Sequence, residues 1–143
     1  MREVHRSAIV PYSVEQMYDL VADVESYPDF LPWCSAARIQ SEDNDEVVAC
    51  LTMSQAGFNS SFTTRNRMDP PHRIFMTLLD GPFTDLEGEW QVEPLGEAGC
   101  KLELSMRFTI ANRSKDLLMG VAFEHSCNTL VDAFVTRARS MYG

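Results

Sequence analysis

"CKLELSMRFTI", residues 100–110, decides the fold. Cys100, Leu102, Leu104, Met106, Phe108 and Ile110 fall on one parity, and Lys101, Glu103, Ser105 and Arg107 on the other. Side chains of a strand alternate between faces, so this stretch is a strand with one apolar and one wet side. Such strands belong to antiparallel sheets packed on a single face.

Working backward, the same period recurs. Leu86, Gly88, Trp90 and Val92 alternate with Asp85, Glu87, Glu89 and Gln91. Ile74, Met76 and Leu78 alternate with Arg73, Phe75 and Thr77. Phe58, Phe62, Thr64 and Met68 share a face, as do Val47, Ala49, Leu51 and Met53. "DPPH" (69–72) and "DGP" (80–82) are turn sequences. From Ala37 onward the period predicts six strands, and "EVHRSAIV" (3–10) predicts a seventh at the start.

Working forward, the period changes to that of a helix. Phe123, Cys127, Leu130, Phe134 and Ala138 form one stripe in a helix predicted from near Ser114 to the end. About 26 residues at 1.5 Å each span roughly 39 Å, enough to lie across a sheet.

Between the first strand and the rest lie two short helices. Ser13 is the expected N-cap, with Gln16 completing a capping box, and Val14, Met17, Tyr18 and Val21 take helical spacing. "DVESYPDFLPWC" (23–34) then sets Tyr27, Phe30, Leu31 and Trp33 around Pro28 and Pro32. Two prolines exclude a long regular helix, so a second short helix is expected near Ser26, with Pro28 in its first turn. The class is α+β, in a single domain over 1–143.

Composition narrows the function. The net charge is −9, which opposes a general DNA or RNA binder but leaves room for a local basic patch. The 45% hydrophobic content fits a globular chain. The N-terminus lacks an apolar h-region and no stretch has membrane-spanning length, so the cytoplasm is expected. Cys34, Cys50, Cys100 and Cys127 are scattered without CxxC spacing, and read as reduced thiols with no metal site. There is no GxSxG, P-loop, GxGxxG or HExxH motif, and the three histidines lie far apart. No catalytic residues are therefore assigned, and no enzyme is expected.

"VPYSVEQMYDLVADVESYPDFLPWC", "FTTRNRM", "LLDGPF", "LEGEW" and "AFVTRARSMYG" resemble the coenzyme Q-binding, START-like family along nearly the whole chain. The resemblance implies the helix-grip fold: a curved antiparallel sheet of about seven strands wrapped around the long C-terminal helix, with an apolar cavity between. It implies non-enzymatic binding of a hydrophobic ligand, a prenylated quinone such as ubiquinone, in support of respiration. No cofactor is required beyond such a bound lipid. The cytoplasm, or the periphery of the inner membrane, is the implied location. The alternative it implies belongs to a different class of function, binding to the large ribosomal subunit so as to block subunit association and translation initiation; the acidic charge favours the lipid reading over it. A cyclase or dehydrase is a third, minor alternative, and no DNA partner is implied.

Within that fold the expected cavity residues are Tyr27, Phe30, Leu31, Trp33, Met53, Phe62, Met76, Leu78, Gly88, Trp90, Met106, Phe123, Cys127, Leu130 and Phe134. Each also reads as ordinary core. Ser60, Thr64 and Asn66 share the parity of Phe62, and either orient a ligand head or bond locally. "LLMGVAF" (117–123), apolar around most of the helix with Gly120 inside, reads as a gate, a membrane-contacting lip, a dimer surface or a segment buried under a loop. Arg65, Arg67 and Arg73 take the wet parity on adjoining strands, and read either as an RNA-contacting patch or as part of a mixed-charge surface shared with Asp85, Glu87 and Glu89.

Overall fold

The computed structural model describes residues 1–143 apart from 56, 57, 98, 113 and 115, and apart from the side chains of 55 and 58. The expected inward placement of Phe58 therefore lies outside the described residues. The chain runs β1 (Arg2–Val10), α1 (Val14–Ala22), a 3-10 segment (Val24–Asp29), β2 (Cys34–Asp43), β3 (Glu46–Gln55), β4 (Phe58–Asp69), β5 (Arg73–Asp80), β6 (Phe83–Leu95) and β7 (Gly99–Ile110). A wide π turn (Asp116–Gly120) then leads into α2 (Val121–Tyr142).

The seven strands form one antiparallel sheet in the order β1-β7-β6-β5-β4-β3-β2. Strands β2 to β7 follow one another as hairpins, as short connections favour. The first strand closes the sheet beside the last, with Val4 opposite Met106 and Val10 opposite Cys100. In β7 every residue of the apolar parity is buried.

The cover is α2. Its Phe123 ring lies 4.7 Å from Phe108, 5.1 Å from Phe83 and 5.6 Å from Phe62, a herringbone of rings joining helix to sheet. Farther along, Phe134 stands 5.2 Å from Trp90, 5.4 Å from Tyr27 and 5.2 Å from Phe30. The aromatic stretch at 27–33 thus packs against the helix at one end of the sheet. Leu31 is fully buried there, and the Tyr27 hydroxyl donates to the carbonyl of Val21.

Ser13 caps α1 with the expected reciprocal bonds: Gln16 N–H donates to Ser13 Oγ at 3.1 Å, and Ser13 N–H donates to Gln16 Oε1 at 3.0 Å. The second helix differs from expectation. It begins at Val24, two residues before Ser26, and it is a 3-10 segment holding Pro28 in its interior. Its i→i−3 bonds, Ser26 to Asp23 and Phe30 to Tyr27, leave few donors for proline to remove.

The start of the last helix is tied down from the opposite end of the chain. Arg2 reaches Asp116 at 3.0 Å and Glu124 at 2.7 Å. These bonds hold Arg2 charged and hold the Asp116 carboxyl below its usual range. Gly120 explains itself here. A Cβ at Gly120 would stand 2.2 Å from Asp116 Oδ1 and 2.7 Å from Arg2 Nε, so glycine makes room for the pair. Gly120→Ala removes a residue that normally costs a helix about 1 kcal/mol, yet it displaces Asp116. Thermal melting should show no gain in stability. A gain near that value would mean that the Arg2–Asp116 contact contributes nothing.

Candidate functional site

Two of the spaces that adjoin the 27–33 stretch bear on a site. The first is enclosed between the sheet and α2 and measures about 50 Å³. Tyr27, Trp33, Phe62, Met76, Trp90, Met106, Phe123, Cys127 and Leu130 line it as expected. Val24, Ala49, Leu51, Thr64, Asn66 and Leu86 line it too. The second is an open groove of about 640 Å³ between residues 30–33 and Ser54 on one side and the His125–Ser140 face of α2 on the other.

The structure corrects part of the expected lining. Phe30 and Leu31 face the groove rather than the enclosed cavity. Met53 is buried in the core outside either space, Leu78 is half-buried near the sheet rim, and Phe134 is locked among Tyr27, Phe30 and Trp90. Strand parity put Met53 and Leu78 inward, the helical stripe did so for Phe134, and the family resemblance did so for Phe30 and Leu31; none of these says how far along the sheet the helix leaves a gap. Among the described residues, Trp33 alone lines both spaces.

The cavity is small because methionines fill it. A Cβ placed on Gly88 would meet Met106 Sδ at 2.7 Å and Met76 Cε at 2.8 Å. The room that glycine leaves on the sheet is taken by two flexible side-chain ends. Small-molecule pockets run from roughly 300 to 1,000 Å³, so a space of this size admits a small molecule only if these ends move. Methionine, unbranched and soft, moves at low cost.

Polar groups in the lining are few. Thr64 Oγ1 donates to Asn66 Oδ1 at 2.7 Å, both residues being buried. The Trp33 indole N–H is buried without a partner among the described residues. A buried donor left unpaired costs about 1–3 kcal/mol. Burial pushes the Cys127 thiol and the Tyr27 phenol well above their ordinary ranges, so both remain neutral. No group of His, Cys, Asp or Glu among the described residues is arranged to hold a metal ion.

The arginines of β4 and β5 are exposed on the opposite, wet face. Arg65 pairs with Glu46 at 3.8 Å and Arg73 with Glu89 at 3.4 Å. Arg67 has no ion pair among the described residues, and stands directly across from the exposed ring of Phe75. Segment 117–123 divides: Met119, Gly120 and Phe123 are buried, whereas Leu117, Leu118 and Val121 are more than half exposed. No helix among the described residues is long and apolar enough to cross a membrane.

The family model described as polyketide cyclase / dehydrase and lipid transport matches residues 10–135. The chain belongs to this family. A relative in Pseudomonas aeruginosa, named ribosome association toxin RatA, is 43% identical over 98% of this chain and 97% of its own length. A second, the mitochondrial coenzyme Q-binding protein COQ10 homolog B of Xenopus laevis, is 30% identical over 99% of this chain and 59% of its own. Among solved structures, the Zhui aromatase/cyclase of Streptomyces sp. R1128 superposes with a TM-score of 0.84 over 96% of this chain and 93% of that one, at 22% identity. That likeness carries the START-like fold.

Within this family fold, Gly88 reports on how the cavity is filled. Gly88→Leu should cost about 1–3 kcal/mol by overpacking, and Met106→Ala about 2–5 kcal/mol by leaving a void. Combined, they should cost clearly less than the sum, because leucine takes the methionine's place. Urea unfolding measures all three, and strict additivity would mean that Met106 does not fill the space over Gly88.

Proposed function

We propose that this protein acts by associating with the ribosome. The carrying observation is the 43% identity to a ribosome association toxin that runs through nearly the full length of both chains. A cavity of about 50 Å³, closed by methionines, is not a pocket held open for a resident cargo, and it adds weight to the same reading. No catalytic step, no cofactor and no DNA contact belong to it, and its setting is the cytoplasm. The large subunit is the proposed partner.

The proposed contact is the wet face of β4 and β5. Phosphate contacts need a cation that is not already neutralised; Arg65 and Arg73 share their charge with Glu46 and Glu89, whereas Arg67, although Glu46 stands across from it on β3, makes no ion pair among the described residues. The exposed ring of Phe75 beside it offers a surface for an unstacked base. In sucrose gradients, Arg67→Glu with Phe75→Ala should abolish comigration with the large subunit. Arg65→Glu should weaken it less. Melting temperatures should stay nearly unchanged for Arg67→Glu and Arg65→Glu made singly, since exposed charges contribute little to folding. Wild-type comigration should also fall with added salt. Comigration that resists both the double variant and salt removes this face from the reading.

A second reading, binding of a prenylated quinone, is favoured by the apolar lining with its displaceable methionines and by the coenzyme Q-binding relative. The exposed Leu117, Leu118 and Val121 would then touch the inner-membrane surface during loading. Saturable binding of decylubiquinone in equilibrium dialysis is the expected result. Its absence eliminates this second reading and leaves the ribosomal one standing.

A further inference from the structure

Leu117, Leu118 and Val121 are 75%, 65% and 52% exposed. Their spacing puts them on one side of the π turn and the start of α2, while Met119 and Gly120 between them are buried. Large apolar side chains bared together differ from the single exposed ones that any surface carries.

Charge is distributed unevenly around them. The strand register puts the turns at 43–46, 69–73 and 95–99 at one end of the sheet, and those at 80–83 and 110–120 at the other. Exposed acids gather at the first end, in Asp43, Asp45, Asp69 and Glu97. At the second end Asp80 is exposed, but Asp116 and Glu124, which flank the leucines in sequence, are both bound by Arg2, at 3.0 and 2.7 Å. In the sequence, two further cations, Arg113 and Lys115, precede the turn. On a chain of net charge −9, bare hydrocarbon thus stands beside acids that are already neutralised.

We infer that this edge docks the protein on an anionic lipid bilayer, with Leu117, Leu118 and Val121 entering the interface and Arg2 acting as the positioning residue that neutralises Asp116 and Glu124. The inference needs neither a ligand in the cavity nor a ribosome, so it goes beyond both readings above. A stable protein interface takes roughly 800 Å² from each partner, far more than these side chains on one turn supply. A bilayer needs no matching shape, since apolar side chains simply sink into it. An RNA surface would leave them in water. Each charge near an anionic bilayer changes binding by roughly fivefold, so two uncompensated acids beside the leucines would oppose docking.

The test is sedimentation of the full chain with vesicles of phosphatidylcholine, alone or mixed with phosphatidylglycerol. The wild type should bind the mixed vesicles more tightly. Leu117→Ser with Leu118→Ser should weaken binding to both kinds about tenfold or more. Ile9→Ser, which removes a side chain 74% exposed at the opposite end, should change nothing. Arg2→Ala should weaken binding to the mixed vesicles selectively, and Arg2→Lys should restore it. Circular dichroism checks folding, and Leu118→Trp gives an independent readout: its emission should shift to the blue on the vesicles, above the signal of the buried Trp33 and Trp90. Comigration with the large ribosomal subunit should survive the leucine substitutions. Vesicle binding that the leucine substitutions do not weaken, or a wild type that binds neither kind of vesicle, overturns the inference and leaves the ribosomal reading untouched. Leucine substitutions that abolish comigration while vesicle binding persists assign the edge to the ribosome instead. Self-association of the wild type that the same substitutions remove, without vesicle binding, assigns it to a second copy of the chain.

Discussion

One helix is too narrow for this sheet, and the rest of the structure follows from that mismatch. Seven strands about 4.8 Å apart span roughly 29 Å, whereas a helix with its side chains is about 10–12 Å across. Laid on a flat sheet, α2 would leave most of the apolar parity in water. The molecule answers in two ways. The rings of Phe62, Phe83, Phe108 and Phe123 join the helix to several strands at once. The 3-10 segment and residues 30–33 then fill the far end, with Tyr27 and Phe30 set edge-on to Phe134. The prolines that make this stretch look broken keep it short enough to fit there.

Much of this is legible in the sequence because period reports environment. The buried parity of β7 reads directly from Cys100 to Ile110, and the stripe from Phe123 to Ala138 reads as the covering helix. Ser13 and Gln16 announce the start of α1 and then make the bonds that their types predict. What depends on distant partners is not legible. Nothing local in Arg2 points to Asp116 and Glu124, more than a hundred residues away. Gly120, costly in a helix by itself, makes sense only once that pair is seen pressing against it. The distinction between a residue that lines a gap and one that closes it is equally hidden, which is why Met53 has the parity of Trp90 and Met106, and Phe134 the helical stripe of Cys127 and Leu130, without their role.

The cavity shows how a fold can retain a binding space without keeping it open. A permanent void forfeits contacts along its whole lining, and interiors are close-packed for that reason. Here the space over Gly88 is filled by two thioether ends that carry little conformational commitment. A ligand of matching shape would replace contacts that are already favourable, so its gain comes from the difference. The Trp33 indole N–H, buried without a partner among the described residues, is a donor that the methionines cannot pair. Apolar filling therefore holds the space closed.

The alternation that decides the fold also separates its functions. Along every strand, one parity serves the core and the other faces solvent, and substitutions on the two are close to independent when they share no partners. On β4, Thr64 and Asn66 belong to the cavity, while Arg65 and Arg67, their immediate neighbours in sequence, point the other way. On β5, Met76 fills the space over Gly88 and Phe75 stands exposed beside Arg67. A lineage can thus redraw the wet face for a macromolecular partner while the inner face still folds around its helix, or change the lining while the outside stays as it is. The same physical separation lets relatives named for ribosome association, for coenzyme Q binding and for aromatase/cyclase activity share one architecture. Trp33, with one side on the open groove and the other on the enclosed cavity, is where a change in one space would first be felt in the other.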